Sequence, residues 1–378
     1  FGLLCYDHDG KEIWKKPIPT PKSLYGTSSS PISHGGLLIL VVDDDANLPN
    51  SRVSRSRILA LRKKDGTTAW ETPRPFHRSG WSTPTIWEHD QGKELVVLGN
   101  GSLRGYTLPE GEEKWQVDGF SRETIARPMV GNGVVFSSGS KLGGSADLKT
   151  DPLPFWEAVV RFDANGDDRL ERKEMTGHFT FPFRPQLPPG HPGYGLPLPK
   201  DPFKRKKKLD GMFLWMDKDK DGFWDKKEFL DNLTIGRGKP LLVAVRPGGK
   251  GNVTDTHVEW EFNKGIPEVP SPILHEKLIY MISNGGVLTC VDAGKGEMVY
   301  RKRLEGRGQY VASPLIAGNH LILASEDGLI STVRTGNEFK ILGQFELDES
   351  IQVTPALGQN TLYVRGKNNL WAFGSVKN

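Results

Sequence analysis

Thiols are scarce in this chain: Cys5 and Cys290 are the only cysteines, they lie far apart, and neither belongs to a CxxC pair. Neither a disulfide framework nor a thiolate zinc site can be read from them, and both are expected to be buried free thiols. Long apolar runs are missing as well, and no stretch approaches the ~20 residues that would cross a bilayer as a helix. An excess of one charge is also missing. Lys and Arg number 50 against 46 Asp and Glu, a formal charge of +4 over 378 residues, which does not point to nucleic acid as a partner. Nine His are scattered without HExxH or GxSxG, so nothing supports a hydrolase or another metalloenzyme. The chain starts at Phe1 rather than Met, from which we expect that upstream sequence, such as an export signal, has been removed.

What the chain has in plenty is Gly, 44 residues, and Trp, 10 residues, and both recur in a pattern. A small residue, Pro and alternating apolar residues return as SSPISHGGLLIL, STPTIW, ARPMVGNGVVF, PSPILHEKLIYMI, ASPLIAGNHLILA and VTPALGQNTLYV. Their prolines, Pro31, Pro84, Pro128, Pro272, Pro314 and Pro355, are spaced by 53, 44, 144, 42 and 41 residues. After each comes an apolar strand, a Gly turn and an aromatic residue: ILALRKKDGTTAW to Trp70, LRGYTLPEGEEKW to Trp115, a segment ending VEW at Trp260, and LTCVDAGKGEMVY to Tyr300. LLCYDHDGKEIW, ending at Trp14, and LWAFG near the C-terminus are half-copies. Four short strands joined by Asp/Asn-Gly turns and repeated every ~40 to 50 residues make one blade of a β-propeller. The predicted fold is mainly β, a propeller of four-stranded blades, with seven the preferred number and six or eight open. The terminal half-copies leave two arrangements open: missing strands supplied from upstream of Phe1, or one blade shared by the two ends.

The pattern of Ser/Thr-Pro, apolar-x-Ala/Cys-x-(Asp) and Gly-x-x-x-Trp resembles the tryptophan-docking repeat of the PQQ-like propellers. That family includes quinoprotein alcohol dehydrogenases and the propeller lipoprotein of the outer-membrane barrel assembly machinery. The resemblance covers everything except one interruption. It specifies a fold rather than a function, because members without cofactor share the repeat. The indoles are expected to pack between adjacent blades.

The interval of 144 is about 100 residues too long for one repeat, and the excess falls between VVFSSGS and PLLVAVR, where other copies have a tight turn. The expected organisation is therefore blades over 1–140, an inserted α-helical EF-hand module over 141–238, and blades over 239–378. The insertion holds two twelve-residue segments, DANGDDRLERKE from Asp163 to Glu174 and DKDKDGFWDKKE from Asp217 to Glu228. Oxygen donors at positions 1, 3, 5, 7, 9 and 12 wrap a calcium ion, and a carboxylate at position 12 closes the shell with both oxygens. In the first loop these are Asp163, Asn165, Asp167, the Arg169 carbonyl, Glu171 through water, and Glu174. In the second they are Asp217, Asp219, Asp221, the Phe223 carbonyl, Asp225 through water, and Glu228. Gly222 suits the turn at position 6, whereas Asp168 takes that place in the first loop and should be strained there, so the second site is expected to bind more tightly.

The loops are flanked by helical spacing at Phe155, Val159 and Phe162 and at Leu209, Met212, Phe213 and Met216, and Met175 and Phe229 follow the closing glutamates. Between the loops lies a Pro-rich stretch, expected to be extended or irregular, and then KRKKK from Lys204 to Lys208, which reads as a solvated helix start or a contact for an acidic partner or surface. Asp43, Asp44 and Asp45 start another calcium-like pattern as far as Asn47, but Ser54 at position 12 makes it an acidic turn.

The expected function is that of a calcium-binding, non-catalytic propeller acting as a binding or assembly scaffold, with two calcium sites of structural rather than sensor character ordering the insertion. An unidentified protein partner is expected, with no nucleic acid and no transmembrane segment, and the resemblance implies an exported protein. The alternative is a PQQ-dependent dehydrogenase. The resemblance implies that such an enzyme holds its quinone over an aromatic floor with calcium at its edge, often beneath two adjacent cysteines. This chain has no adjacent Cys pair, and its calcium-like loops lie in the insertion, so PQQ is not the expected cofactor.

Overall fold

The computed structural model describes residues 1–23, 25–45, 54–75, 77–140, 152–182, 189–190, 194–232, 239–305 and 308–374. It divides into two compact units, one of residues 1–146 and 237–378 and one of residues 147–236.

The first unit is mainly β. Among its described residues, strands form seven sheets, antiparallel and in chain order except for one pairing. The first has two strands, Gly2–Tyr6 and Glu12–Pro17, and the last has three, Ala356–Gly358, Thr361–Arg365 and Leu370–Gly374. Four of the five between have four strands, for example Ile32–His34, Leu37–Val42, Arg57–Arg62 and Thr68–Pro73 in the second. The third gains a fifth, because Gly251–Asn252 pairs parallel with Glu113–Asp118. The terminal strands form two separate sheets, so the arrangement with one blade shared by both ends is not what the described residues adopt.

The middle strands are buried on both faces because each sheet packs on the next. In the second sheet Leu40, Val42, Leu59 and Leu61 face Leu3 and Trp14 of the first. Their neighbours Ile39, Val41, Ile58 and Ala60 face Leu95, Val97 and Tyr106 of the third. The two-residue period of a strand thus serves two interfaces at once. Similar clusters join the third sheet to the fourth, the fourth to the fifth, the fifth to the sixth and the sixth to the seventh. Cys290 is buried among them and Cys5 is half-buried.

The repeated Gly and Trp interlock across these interfaces. A Cβ on Gly66, Gly111 or Gly296 would lie within 2.6 Å of the ring of Trp14, Trp70 or Trp260 respectively, each from the preceding sheet. The Trp14 and Trp260 indoles also donate to the carbonyls of Lys63 and Ala293, at 2.8 and 3.1 Å. Trp115 departs from this pattern. The fourth sheet has no tight Gly turn to receive it, and its indole donates instead to the buried Glu94 carboxylate of its own sheet at 2.5 Å.

Asp43 and Asp44 are buried rather than lying on an open acidic turn. Asp43 pairs with buried Arg74 at 2.7 Å, Asp44 with Arg55 at 3.0 Å, and Asp45 accepts from Ser79. Asn47 lies outside the described residues.

The second unit has its own core, in which Phe155, Val159, Leu170, Phe213, Met216 and Trp224 are buried together. Helix α1 (Leu153–Val159) continues into a short 3-10 turn, Val160–Phe162. Helix α2 (Pro202–Met216) starts where Asp201 accepts from the Lys204 amide at 2.8 Å, with Pro202 in its first turn. Helix α3 (Lys226–Asn232) begins within the last residues of the second loop. Within the Pro-rich stretch Gly195–Pro197 is extended, one of the two forms expected there, and pairs with Thr180–Pro182 just before the stretch.

Candidate metal centre

The two acidic segments fold as matching loops. In the second, Asp217 Oδ2 accepts from the Gly222 amide at 3.1 Å, Asp219 Oδ1 from Asp221 at 3.1 Å and Asp221 Oδ1 from Phe223 at 2.9 Å. Asp225 Oδ1 accepts from the Glu228 amide at 2.7 Å, capping α3. Glu228 Oε1 reaches back across the loop to the amides of Lys218 and Asp219, at 2.7 and 3.3 Å. The first loop repeats the ladder. Asp163 accepts from Gly166 and Asp168 at 2.8 Å each, Asn165 from Asp167 at 3.1 Å and Asp167 from Arg169 at 3.0 Å. Glu174 accepts from the amides of Ala164 and Glu171, at 2.9 and 3.0 Å. Partial desolvation acts to raise the Asp163 carboxyl, but the surrounding amides outweigh it and hold the group below the usual carboxylate range.

The backbone explains these rings. Positions 4 and 6 of both loops are left-handed: Gly166 and Asp168 at φ 75° and 59°, Lys220 and Gly222 at 62° and 92°. Asp168 adopts the strained conformation expected of it, but Lys220 carries the same cost in the second loop, so each loop holds one non-glycine residue there.

Positions 8 pair the loops. Leu170 faces Trp224 and Glu171 faces Phe223 in a short antiparallel ladder, with Leu170 and Trp224 both fully buried. The large Trp224 ring is accommodated by Phe213 and Phe179, at ring-centroid distances of 5.2 and 6.4 Å. One flank differs between the copies: Glu228 lies in the first turn of α3, whereas the chain turns at Glu174 and forms no helix there. Thr176 and Gly177 are poor helix formers and account for the difference.

The donor sets are unequal. Carboxylate oxygens of Asp217, Asp219 and Asp221 lie within 4.8 Å of one another, and no comparable group of three occurs in the first loop among the described residues. Asn165 takes position 3 there, and Glu171 is engaged by the Lys173 ammonium. Asp217 is only 9% exposed, and its Oδ1 is buried without a hydrogen-bond partner among the described residues. A buried carboxylate oxygen with no donor is costly unless a cation meets it. The residues of the second loop therefore fit a hard divalent ion bound through oxygen.

The propeller-like unit holds a second polar cluster, of which the sequence singles out only Asp43, as part of an acidic turn. Buried Arg74 lies beside Asp43, and both ring nitrogens of buried His77 lack partners among the described residues. Burial, with the Arg74 and Arg104 charges adding to it, pushes His77 down to about 2. Burial also pushes Asp43 up to about 6, against the pull of Arg74.

A family profile described as "Outer membrane protein assembly factor BamB" matches residues 2–174 and 251–339. The chain belongs to this family. Residues 175–250, which hold α2, the second loop and α3, lie outside the match to the BamB family. Among solved structures, the crystal structure of BamB from Moraxella catarrhalis aligns over 98% of this chain and 78% of that one, with a TM-score of 0.53 and 10% identity. At that identity the likeness concerns the fold, that of a propeller. No curated protein matches the sequence. No helix among the described residues is long and apolar enough to cross a membrane.

Proposed function

We propose that the chain is a non-catalytic assembly scaffold of the BamB family that binds a protein partner outside the cytoplasm, and that its insertion is an EF-hand pair ordered by calcium. On this reading the seven sheets are propeller blades and residues 147–236 are a module carried on one of their hairpins. Membership in a family described as an outer-membrane protein assembly factor supports the scaffold role and the exported location. The observation that carries the calcium reading is the buried Asp217 Oδ1, without a hydrogen-bond partner among the described residues, beside the carboxylates of Asp219 and Asp221.

The roles divide by residue. Asp217, Asp219, Asp221 and Glu228 would hold the ion in the second loop with the Phe223 carbonyl, while Asp225 both caps α3 and faces the ion through water. Asp163, Asn165, Asp167, Glu171 and Glu174, with the Arg169 carbonyl, would form the weaker first site. Calcium would neutralise carboxylates that otherwise repel one another, and so favour the folded insertion over the unfolded one. A structural role fits better than a sensor role, because the pair is joined by a long connection and α2 turns its Met216 into the core.

Titration calorimetry of the full chain with calcium should resolve two sites, and Asp217→Asn combined with Glu228→Gln should remove the tighter one. An unchanged binding isotherm in that double variant would overturn the assignment. For the scaffold role, the tagged chain should capture a defined envelope protein from an exported fraction. Recovery of no partner, together with turnover of an alcohol by a PQQ-loaded sample, would favour a quinoprotein instead.

A further inference from the structure

Helix α2 is two-sided in a way that the core of the insertion does not explain. At 3.6 residues per turn, Leu209, Phe213 and Met216 fall on one side and are buried. On the opposite side, within an arc of about 140°, lie Phe203, Leu214, Lys207, Lys204, Trp215 and Lys208 in angular order. Leu214 is 81% exposed, Phe203 78% and Trp215 44%. No acidic residue falls in this arc. The helix's Asp210 sits at its margin and is engaged by Lys206 at 3.3 Å and Arg172 at 3.6 Å. Lys204, Lys207 and Lys208 have no carboxylate partner among the described residues.

We propose that this face of α2 docks on an anionic phospholipid surface, with the three lysines at headgroup phosphates and Phe203, Leu214 and Trp215 entering the headgroup–acyl boundary. Exposed large apolar groups and unpaired ammonium groups alternate on one convex face about 16 Å long, from Phe203 to Leu214. A surface that is both negative and fluid accommodates that alternation: lysine stems lie along the apolar groups while their charges reach the phosphates. A second copy would set lysine against lysine. An acidic protein would need carboxylates and apolar hollows in the same fixed order. The proposal does not rest on the calcium reading, since every residue of the face belongs to α2 and none to the loops.

The experiment is co-sedimentation of the full chain with phosphatidylcholine vesicles, with and without phosphatidylglycerol, in calcium and separately in chelator. Binding is expected only to the vesicles containing phosphatidylglycerol, weakening as salt is raised. Replacing Lys204, Lys207 and Lys208 by Gln should lower the partition coefficient by on the order of a hundredfold. Leu214→Ala with Trp215→Ala should lower it at least about tenfold. A third variant guards against misfolding: a Cβ on Gly211 meets open space, so Gly211→Glu adds one acidic group to the arc without touching the core, and should also weaken binding. No binding in either condition, or binding indifferent to all three variants, would overturn the proposal. So would a self-associated species that Leu214→Ala dissociates, since a second copy would then be the occupant.

Discussion

Buried ionisable side chains in the propeller-like unit are where single residues matter most. His77 stays neutral in the folded chain because both ring nitrogens are buried beside Arg74 and Arg104. Its folded value of about 2 lies below its ordinary 6.5, so the unfolded chain takes up the proton first as pH falls. The contribution of His77 to stability is therefore full above 6.5 and is lost progressively as pH falls toward about 2. Asp43 acts in the opposite sense: its contribution is full below 3.8 and is lost as pH rises through about 6. Comparing wild type with His77→Phe cancels the Asp43 contribution to first order. Urea denaturation at neutral and at mildly acid pH should show the variant gaining on wild type as pH falls, and a difference that does not change with pH would contradict this account.

At the scale of elements, the join between sheets rests on an indole lying over a bare glycine backbone. Gly111 combines a positive φ of 77° with a Cβ position 2.5 Å from the Trp70 ring. Gly10 has a similar φ of 81° with nothing nearby. Gly10→Ala should cost about 1 kcal/mol, the backbone term alone. Gly111→Ala should cost a further 1 to 3 kcal/mol or so, because the second and third sheets must part to make room. Thermal denaturation of the two variants measures that difference, and equal losses would mean that the Gly–Trp contact is not a tight joint. The same reasoning explains Trp115: without a Gly turn to receive it, its indole N–H finds Glu94.

For the molecule as a whole, the separate core of residues 147–236 predicts separate responses to chelation. Among the described residues, the buried cluster of the insertion contains no residue of the first unit's seven sheets, so on the proposed calcium reading chelation should loosen one unit and leave the other intact. Hydrogen exchange in chelator should rise across α1, both loops, α2 and α3 while the middle strands of the sheets keep their protection. Equal loss of protection in both units would instead mean one cooperative structure.

The sequence by itself determined the strand order, the repeat and the place of the interruption. These follow from local rules: alternation every two residues, Asp/Asn-Gly turns, and a Pro-marked period whose one long interval lies between Val134–Gly139 and Leu241–Val245, which indeed pair. It also determined the loop positions, because oxygen donors at alternate residues are a property of the chain. Only the tertiary structure decided which acidic residues belong to a loop and which to a core. Asp43 and Asp217 look alike in sequence, but Asp43 meets Arg74, just past the last strand of the same sheet, whereas one carboxylate oxygen of Asp217 has no donor among the described residues. Helical spacing already set Phe213 and Met216 apart from Leu214 and Trp215, but only the fold left Leu214 and Trp215 exposed, since burial depends on what packs against a helix.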